Sequence, residues 1–209
     1  MNGINETKEI NENFDIKTLK TVESTSYSSE KPHHFKQLKK IMMFYLKPGK
    51  KTIVDMNGHV GGFSLRWALA FLKDKIFTIE YDTEIFNLLE KNIETLEIKN
   101  IEAIRGDSAE EILKLKNIDA IFSDPPWGGP SYKTLGKKDL FYGKINAVDV
   151  FKKIFSRKIS KYIFFKVPRN YNFKSLEALP GTYKTYNIIS NNPNKPVADY
   201  LLLVLTSCS

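Results

Sequence analysis

Apolar residues fall at Phe35, Leu38, Ile41, Met42 and Tyr45 in "EKPHHFKQLKKIMMFYL". Their three- and four-residue spacing predicts an amphipathic helix, closed by Pro48 and Gly49. The rhythm then changes to short β-rich runs separated by helical ones. "KTIVDM", "KIFTIEY", "NIEAIRG", "IDAIFSD" and "KYIFFKV" read as strands. "GGFSLRWALAFLKD", "DTEIFNLLEKNIETL", "SAEEILKL", "AVDVFKKIFSRKI" and "NFKSLEAL" read as the helices between and after them, with Asp82 as an N-cap. "TYKTYNIIS" and "ADYLLLVLTS" follow in succession as two final strands, parted by the turn-rich "NNPNKP". Strands alternating with helices predict an α/β fold: a mostly parallel seven-stranded sheet with helices on both faces and an antiparallel C-terminal strand.

Residues 1–30 are polar and carry no sustained period, so they are expected to form a flexible arm. Residues 31–49 form the N-terminal helix, and residues 50–209 the α/β domain. The 209 residues suffice for one well-buried core. The formal net charge of +8 favours an anionic partner, most simply nucleic acid. The one cysteine, Cys208, can form no internal disulfide, which fits a reducing compartment. No apolar run approaches the roughly 18 residues of a membrane span, and the N-terminus lacks a signal-peptide pattern. The chain is therefore expected to be intracellular, with no membrane partner.

In such a sheet a ligand binds at the carboxyl ends of the strands, near the switch in strand order. Four stretches far apart in sequence converge on that rim: "DMNGHVGG", Glu80, Gly106–Asp107 and "DPPW" at 124–127. In the first, Gly61 and Gly62 allow a tight turn, and Asp55 can accept from an ammonium or a loop amide. Glu80 ends the second strand, where an acid commonly binds the ribose hydroxyls of an adenosine-containing cofactor. Asp107 can accept from an adenine amino group, though Asp107 or Ser108 serves equally as an N-cap. There is no GxxxxGK[ST] loop and no G-x-S-x-G elbow. His33, His34 and His59 show no metal-ligand spacing, so no metal is expected.

The "FSDPPWGGPSY" stretch bears the most specific chemistry. Adjacent prolines end the strand and stiffen the backbone, fixing Asp124 and Trp127 at its tip. An exocyclic base amine is a poor nucleophile, because its lone pair is delocalised into the ring. A carboxylate and a proline carbonyl (Asp124 and Pro125) can accept its hydrogens and aim its nitrogen at a methyl donor. Trp127 would stack on the base.

Together these features resemble the class I S-adenosylmethionine-dependent methyltransferases, a Rossmann-like fold. "PPWGGPSY", "FFKVPRNYNF" and "NIISNN" are more specifically similar to the cap guanine-N2 methyltransferases, the trimethylguanosine synthases, over roughly residues 50 to 205. That resemblance implies S-adenosyl-L-methionine as cofactor, held by Asp55, Asn57, His59, Gly61, Glu80, Asp107 and Ser108. It implies capped RNA as partner, and methyl transfer to the N2 amine of a 7-methylguanosine cap. Trp127 would face a cationic purine, gaining about 0.5–2 kcal/mol. Lys133, Lys137, Lys138, Lys166, Arg169 and Asn170 become candidates for the cap and its phosphates. The N-terminal helix would close the substrate pocket. Two departures stand out. His59 occupies a position where the family usually has glycine, and its side chain would crowd the methionine end of the cofactor. Asp124 stands where the family can have serine; aspartate is commoner in adenine-N6 methyltransferases, so an adenine acceptor stays open. A non-catalytic nucleic-acid-binding relative is the further alternative.

Overall fold

A computed structural model describes residues 31–129, 132, 136–191 and 198–208. The polar arm at 1–30 and Lys133 lie outside the described residues. Helix α1 spans Pro32–Tyr45, with proline in its first turn, where a missing N–H costs nothing. The domain then runs β1 (Thr52–Asp55), α2 (Ser64–Ala70), β2 (Lys75–Glu80), α3 (Thr83–Thr95), β3 (Ile101–Arg105), α4 (Ser108–Glu111) and β4 (Ala120–Ser123). It continues through β5 (Phe141–Tyr142), β6 (Ile145–Asn146), α5 (Ala147–Ser156), β7 (Tyr162–Val167), β8 (Gly181–Ile189) and β9 (Ala198–Ser207).

Seven strands form one sheet in the order β3-β2-β1-β4-β7-β9-β8. The first five are parallel; β9 runs antiparallel between β7 and β8. The expected mostly parallel sheet with an antiparallel C-terminal pair is therefore present. The order reverses between β1 and β4, so a crevice opens at their carboxyl ends. The central strands carry side chains buried on both faces: β4 is buried throughout, and β7 from Ile163 to Val167.

Two apolar clusters cover the faces. On one, Phe151, Ile154 and Phe155 of α5 pack with Ile121, Ile163 and Phe165. On the other, Phe35, Leu38 and Met42 of α1 pack with Trp67, Phe122, Phe164 and Leu202. Helix α1 is tied to the last strands by Tyr45 Oη to Tyr186 Oη at 2.8 Å and by His34 Nε2 to Asp199 Oδ2 at 2.9 Å. It thus belongs to the sheet's cover. The segment read as one long loop before α5 contains a small antiparallel hairpin, β5–β6, turning at Gly143 (φ 56°). The "NFKSLEAL" helix is a 3-10 segment, Phe173–Ala178. No helix among the described residues is long and apolar enough to cross a membrane.

Candidate active site

A cavity of about 550 Å³ opens at the strand switch, large enough for a nucleoside-sized ligand. Its floor is apolar, with Met56, Phe63, Ile79 and Phe122, while Glu80, Asp82, Asp107 and Asp124 reach it from the strand ends. No lysine or arginine is among the described residues that line it. The lining therefore favours a cationic or hydroxyl-rich ligand over a phosphate.

The loop after β1 is built around backbone amides. Asp55 is buried and does not line the cavity; its Oδ1 accepts from Asn57 N at 3.1 Å. Burial pushes its carboxyl up to about 7, the Asn57 amide and Ser64 hydroxyl opposing, and Asp124 and Glu80 adding to the rise. His59 lines the cavity in the left-handed region, φ 47°, which explains why a glycine suits this position. Burial lowers its pKa, so the imidazole is neutral at pH 7. Gly61 (φ 96°) stays outside the cavity; a Cβ there would lie 2.4 Å from the Leu65 side chain. Gly58 and Gly62, rather than Gly61, form cavity wall.

Glu80 Oε2 accepts from His59 N at 2.8 Å, and Oε1 accepts from Asp82 N at 2.9 Å. One carboxylate thereby clamps the β1 and β2 loops together. Burial raises its pKa against the pull of these amides. Asp82 caps α3 through Glu84 N and Ile85 N at 2.8 and 3.0 Å, as its sequence position predicts. Asp107 caps α4 through Ala109 N at 2.8 Å and also lines the cavity, so both roles open to it in the sequence are available. Ser108 is buried, and its hydroxyl donates to Met56 O.

The β4 tip presents Asp124 and Pro126 to the cavity, while Pro125 is buried behind them. Asp124 N donates to Asn57 Oδ1 at 3.1 Å, joining the acceptor motif to the first loop. Its Oδ2 accepts from Lys166 Nζ at 2.7 Å. Lys166 is thus held inside, 8% exposed, away from any surface path for phosphates. Trp127 is half-buried and does not line the cavity. Its ring lies 5.1 Å from Tyr132 and 6.4 Å from Tyr200, centroid to centroid. Its Nε1 is buried with no hydrogen-bond partner among the described residues. The indole follows the acid in the chain and packs against both apolar clusters of the core.

The remaining substrate candidates serve the loop or the surface. Asn170 Nδ2 donates to Tyr132 O at 2.9 Å and to Gly136 O at 3.0 Å, pinning the segment after Trp127. Arg169 and Lys137 are exposed, and the Lys138 main chain pairs with that of Asn170 and Asn172. Helix α1 supplies none of the cavity lining; in its first turn the His34 ring lies 5.1 Å from that of Tyr200, which neighbours Trp127.

Several residues escape the sequence reading. Tyr142 is buried against the cavity, its hydroxyl 2.6 Å from Ser123 Oγ and donating to Asn57 Oδ1 at 3.3 Å. Burial raises its pKa well above the ordinary phenol value, so it stays protonated. Phe141 and Gly143 of the same hairpin line the mouth. A turn glycine between Phe141-Tyr142 and Ile145 was the available signal. The fold also gathers His33, His34 and Asp199, with one donor atom from each all within 4.8 Å of one another, although sequence spacing shows no metal set.

The cofactor implied by the family resemblance fits this lining. Glu80 offers carboxylate oxygens for a pair of ribose hydroxyls, Ile79 and Phe122 offer apolar contact, and the acids complement a sulfonium.

Comparison with known proteins gives a consistent picture. A family model described as RNA cap guanine-N2 methyltransferase matches residues 50–201. Uncharacterized protein L320 of Acanthamoeba polyphaga mimivirus is 29% identical over 126 residues, 59% of this chain and 48% of the viral one. Trimethylguanosine synthase of Schizosaccharomyces pombe is 29% identical over 162 residues, 74% of this chain and 62% of the yeast one. The matches thus span about half to three-fifths of these relatives' lengths. Among solved structures, a precorrin-6y C5,15-methyltransferase from Geobacter metallireducens superposes with TM-score 0.62 at 10% identity. That match covers 94% of this chain and 97% of the other, a likeness of fold.

Proposed function

We propose, because the chain belongs to the RNA cap guanine-N2 methyltransferase family, that it methylates the exocyclic N2 amine of a 7-methylguanosine cap on RNA. The cofactor is S-adenosylmethionine, which supplies a methyl group on a positively charged sulfur. The observation that carries this reading is the meeting of two groups of residues in one cavity. Glu80 and Asp107 suit the cofactor's nucleoside, and Asp124 with Pro126 stands across from them at the β4 tip.

The chain's own residues then divide the work. Glu80 accepts hydroxyl hydrogens, and its clamp on the His59 and Asp82 amides holds the pocket shape. Asp124 accepts hydrogen bonds from the amine, keeping its nitrogen lone pair directed at the reacting carbon and stabilising positive charge as it develops there. Asn57 holds the Asp124 backbone, and Tyr142 holds Asn57. Trp127, beside Asp124, offers the base a stacking surface outside the cofactor cavity. The net charge of +8 outside an acid-lined cavity suits an RNA chain running over the surface.

A second reading, an adenine-N6 acceptor, draws support from aspartate at position 124. The test is a paired incubation of the protein with methyl donor and either a 7-methylguanosine-capped dinucleotide or an adenine-containing oligonucleotide, read by mass spectrometry. A methylated cap supports the first reading. Methylated adenine alone replaces it with the second.

A further inference from the structure

Adjacent residues on a helix point about 100° apart, so two neighbouring histidines rarely serve one ligand by themselves. At the start of α1 a strand from the far end of the chain supplies the third group. Asp199 of β9 meets the first turn of α1, 165 positions from His34. One donor atom each from His33, His34 and Asp199 lies within 4.8 Å of the other two. The two imidazole rings are 4.1 Å apart, centroid to centroid. His34 Nε2 and Asp199 Oδ2 are 2.9 Å apart.

The cluster is sheltered and braced. His34 is buried, His33 Nε2 is shielded from solvent, and the Asp199 side chain is 13% exposed. Tyr200 packs edge-on against His34 at 5.1 Å. Gln37, one turn along α1, donates to His33 O at 3.2 Å and to Ile189 O at 2.9 Å, and accepts from Ile189 N at 3.2 Å. The histidine turn is thus fixed against β8 as well as β9. Two imidazoles with one carboxylate suit zinc and its first-row neighbours, whereas magnesium and calcium seek oxygen. Tetrahedral zinc, with bonds of about 2.0–2.1 Å, holds its ligand atoms about 3.4 Å apart. The His34–Asp199 separation must open slightly, and the others close by no more than about 1.4 Å, which side-chain torsions can supply.

We infer that His33, His34 and Asp199 form a binding site for a zinc-like divalent cation that clips α1 to β9. The ion takes the place of the hydrogen between His34 Nε2 and Asp199 Oδ2, the His34 imidazole then carrying its proton on Nδ1, and water completes the tetrahedron. A clip that closes so long a stretch of chain removes freedom from the unfolded state, so its first effect is on stability. The inference is independent of which base accepts the methyl group.

The test is a calorimetric titration of the tag-free full-length chain with zinc chloride, after chelator treatment and in a Cys208→Ser background that removes the exposed thiol. One ion should bind per chain with a Kd of about 1 μM or below. Zinc at about 100 times that Kd should raise the melting temperature by about 5–10 °C. Cobalt(II) should give the visible absorption of a tetrahedral site, and magnesium should not compete. His33→Gln and Asp199→Asn, each shown to be folded by a melting curve in chelator, should weaken zinc binding by about tenfold or more. Asp199→Asn still offers His34 a hydrogen bond, so its loss of zinc is separable from loss of the fold. Zinc affinity unchanged within about threefold in both folded variants, or no saturable binding below about 1 mM, overturns the site.

Discussion

The acids around the crevice are secured in two ways. On the β1–β2 side, Asp55, Glu80, Asp82 and Asp107 accept from main-chain amides of Asn57, His59, Asp82, Glu84, Ile85 and Ala109. On the β4 side, Asp124 is secured by the side chain of Lys166, 42 positions away. A main-chain donor persists through any substitution but proline, so the first group is set by local backbone shape. The Asp124 pair depends on two particular side chains, and losing either leaves a charge in a poor solvent.

The largest contrast is in pH dependence. Asp55 in the unfolded chain ionises near 3.8, and burial raises it to about 7 in the fold. Between these values the folded state keeps a proton that the unfolded chain has released. Its contribution to stability is therefore complete below pH 4 and is lost as pH rises through 7. Denaturant titrations of the ligand-free protein should show a decline of roughly 4 kcal/mol across that window. Asp55→Asn should flatten it.

Next comes the pair secured by side chains. Asp124→Ala is expected to lower turnover about 100-fold, as when one preorganised group at a reacting centre is lost. It should also reduce stability by up to about 3 kcal/mol, because Lys166 is stranded. Adding Lys166→Met should restore the melting temperature but not the rate.

Glu80→Gln tests the amide-secured side. It keeps one carbonyl acceptor for the clamp while removing the charge. Methyl-donor affinity should fall about tenfold by calorimetry, and the melting temperature should drop as well, because either the His59 or the Asp82 amide loses its acceptor. The smallest effect is expected at His59, whose left-handed backbone costs a non-glycine residue. His59→Gly retains the amide that Glu80 accepts and should stabilise by about 1 kcal/mol, raising the melting temperature by roughly 2–4 °C.

This division also tracks what the amino-acid order discloses. Strands, helices and the rim acids are local features, written in period and position: Glu80 at a strand end, Asp82 and Asp107 just before helices. The Asp124–Lys166 pair is not local, because nothing near "FFKVPRN" announces which way the lysine turns. The hub of Tyr142, Asn57 and Ser123 likewise unites three distant segments. Asp55 and Trp127 show the limit in another form. Each sits at the right strand tip, yet the first turns inward beneath the loop and the second stands beside the cavity instead of in it. Strand alternation gives the side of the sheet, but beyond the last paired residue the direction of a side chain depends on its tertiary neighbours.

Four carboxylates and no lysine or arginine line the crevice among the described residues. A methyl donor held there would carry a positively charged sulfur and its demethylated product a neutral one, so those acids would attract the product less. Charge alone would thus favour product clearance, and added salt should narrow the gap between the two affinities.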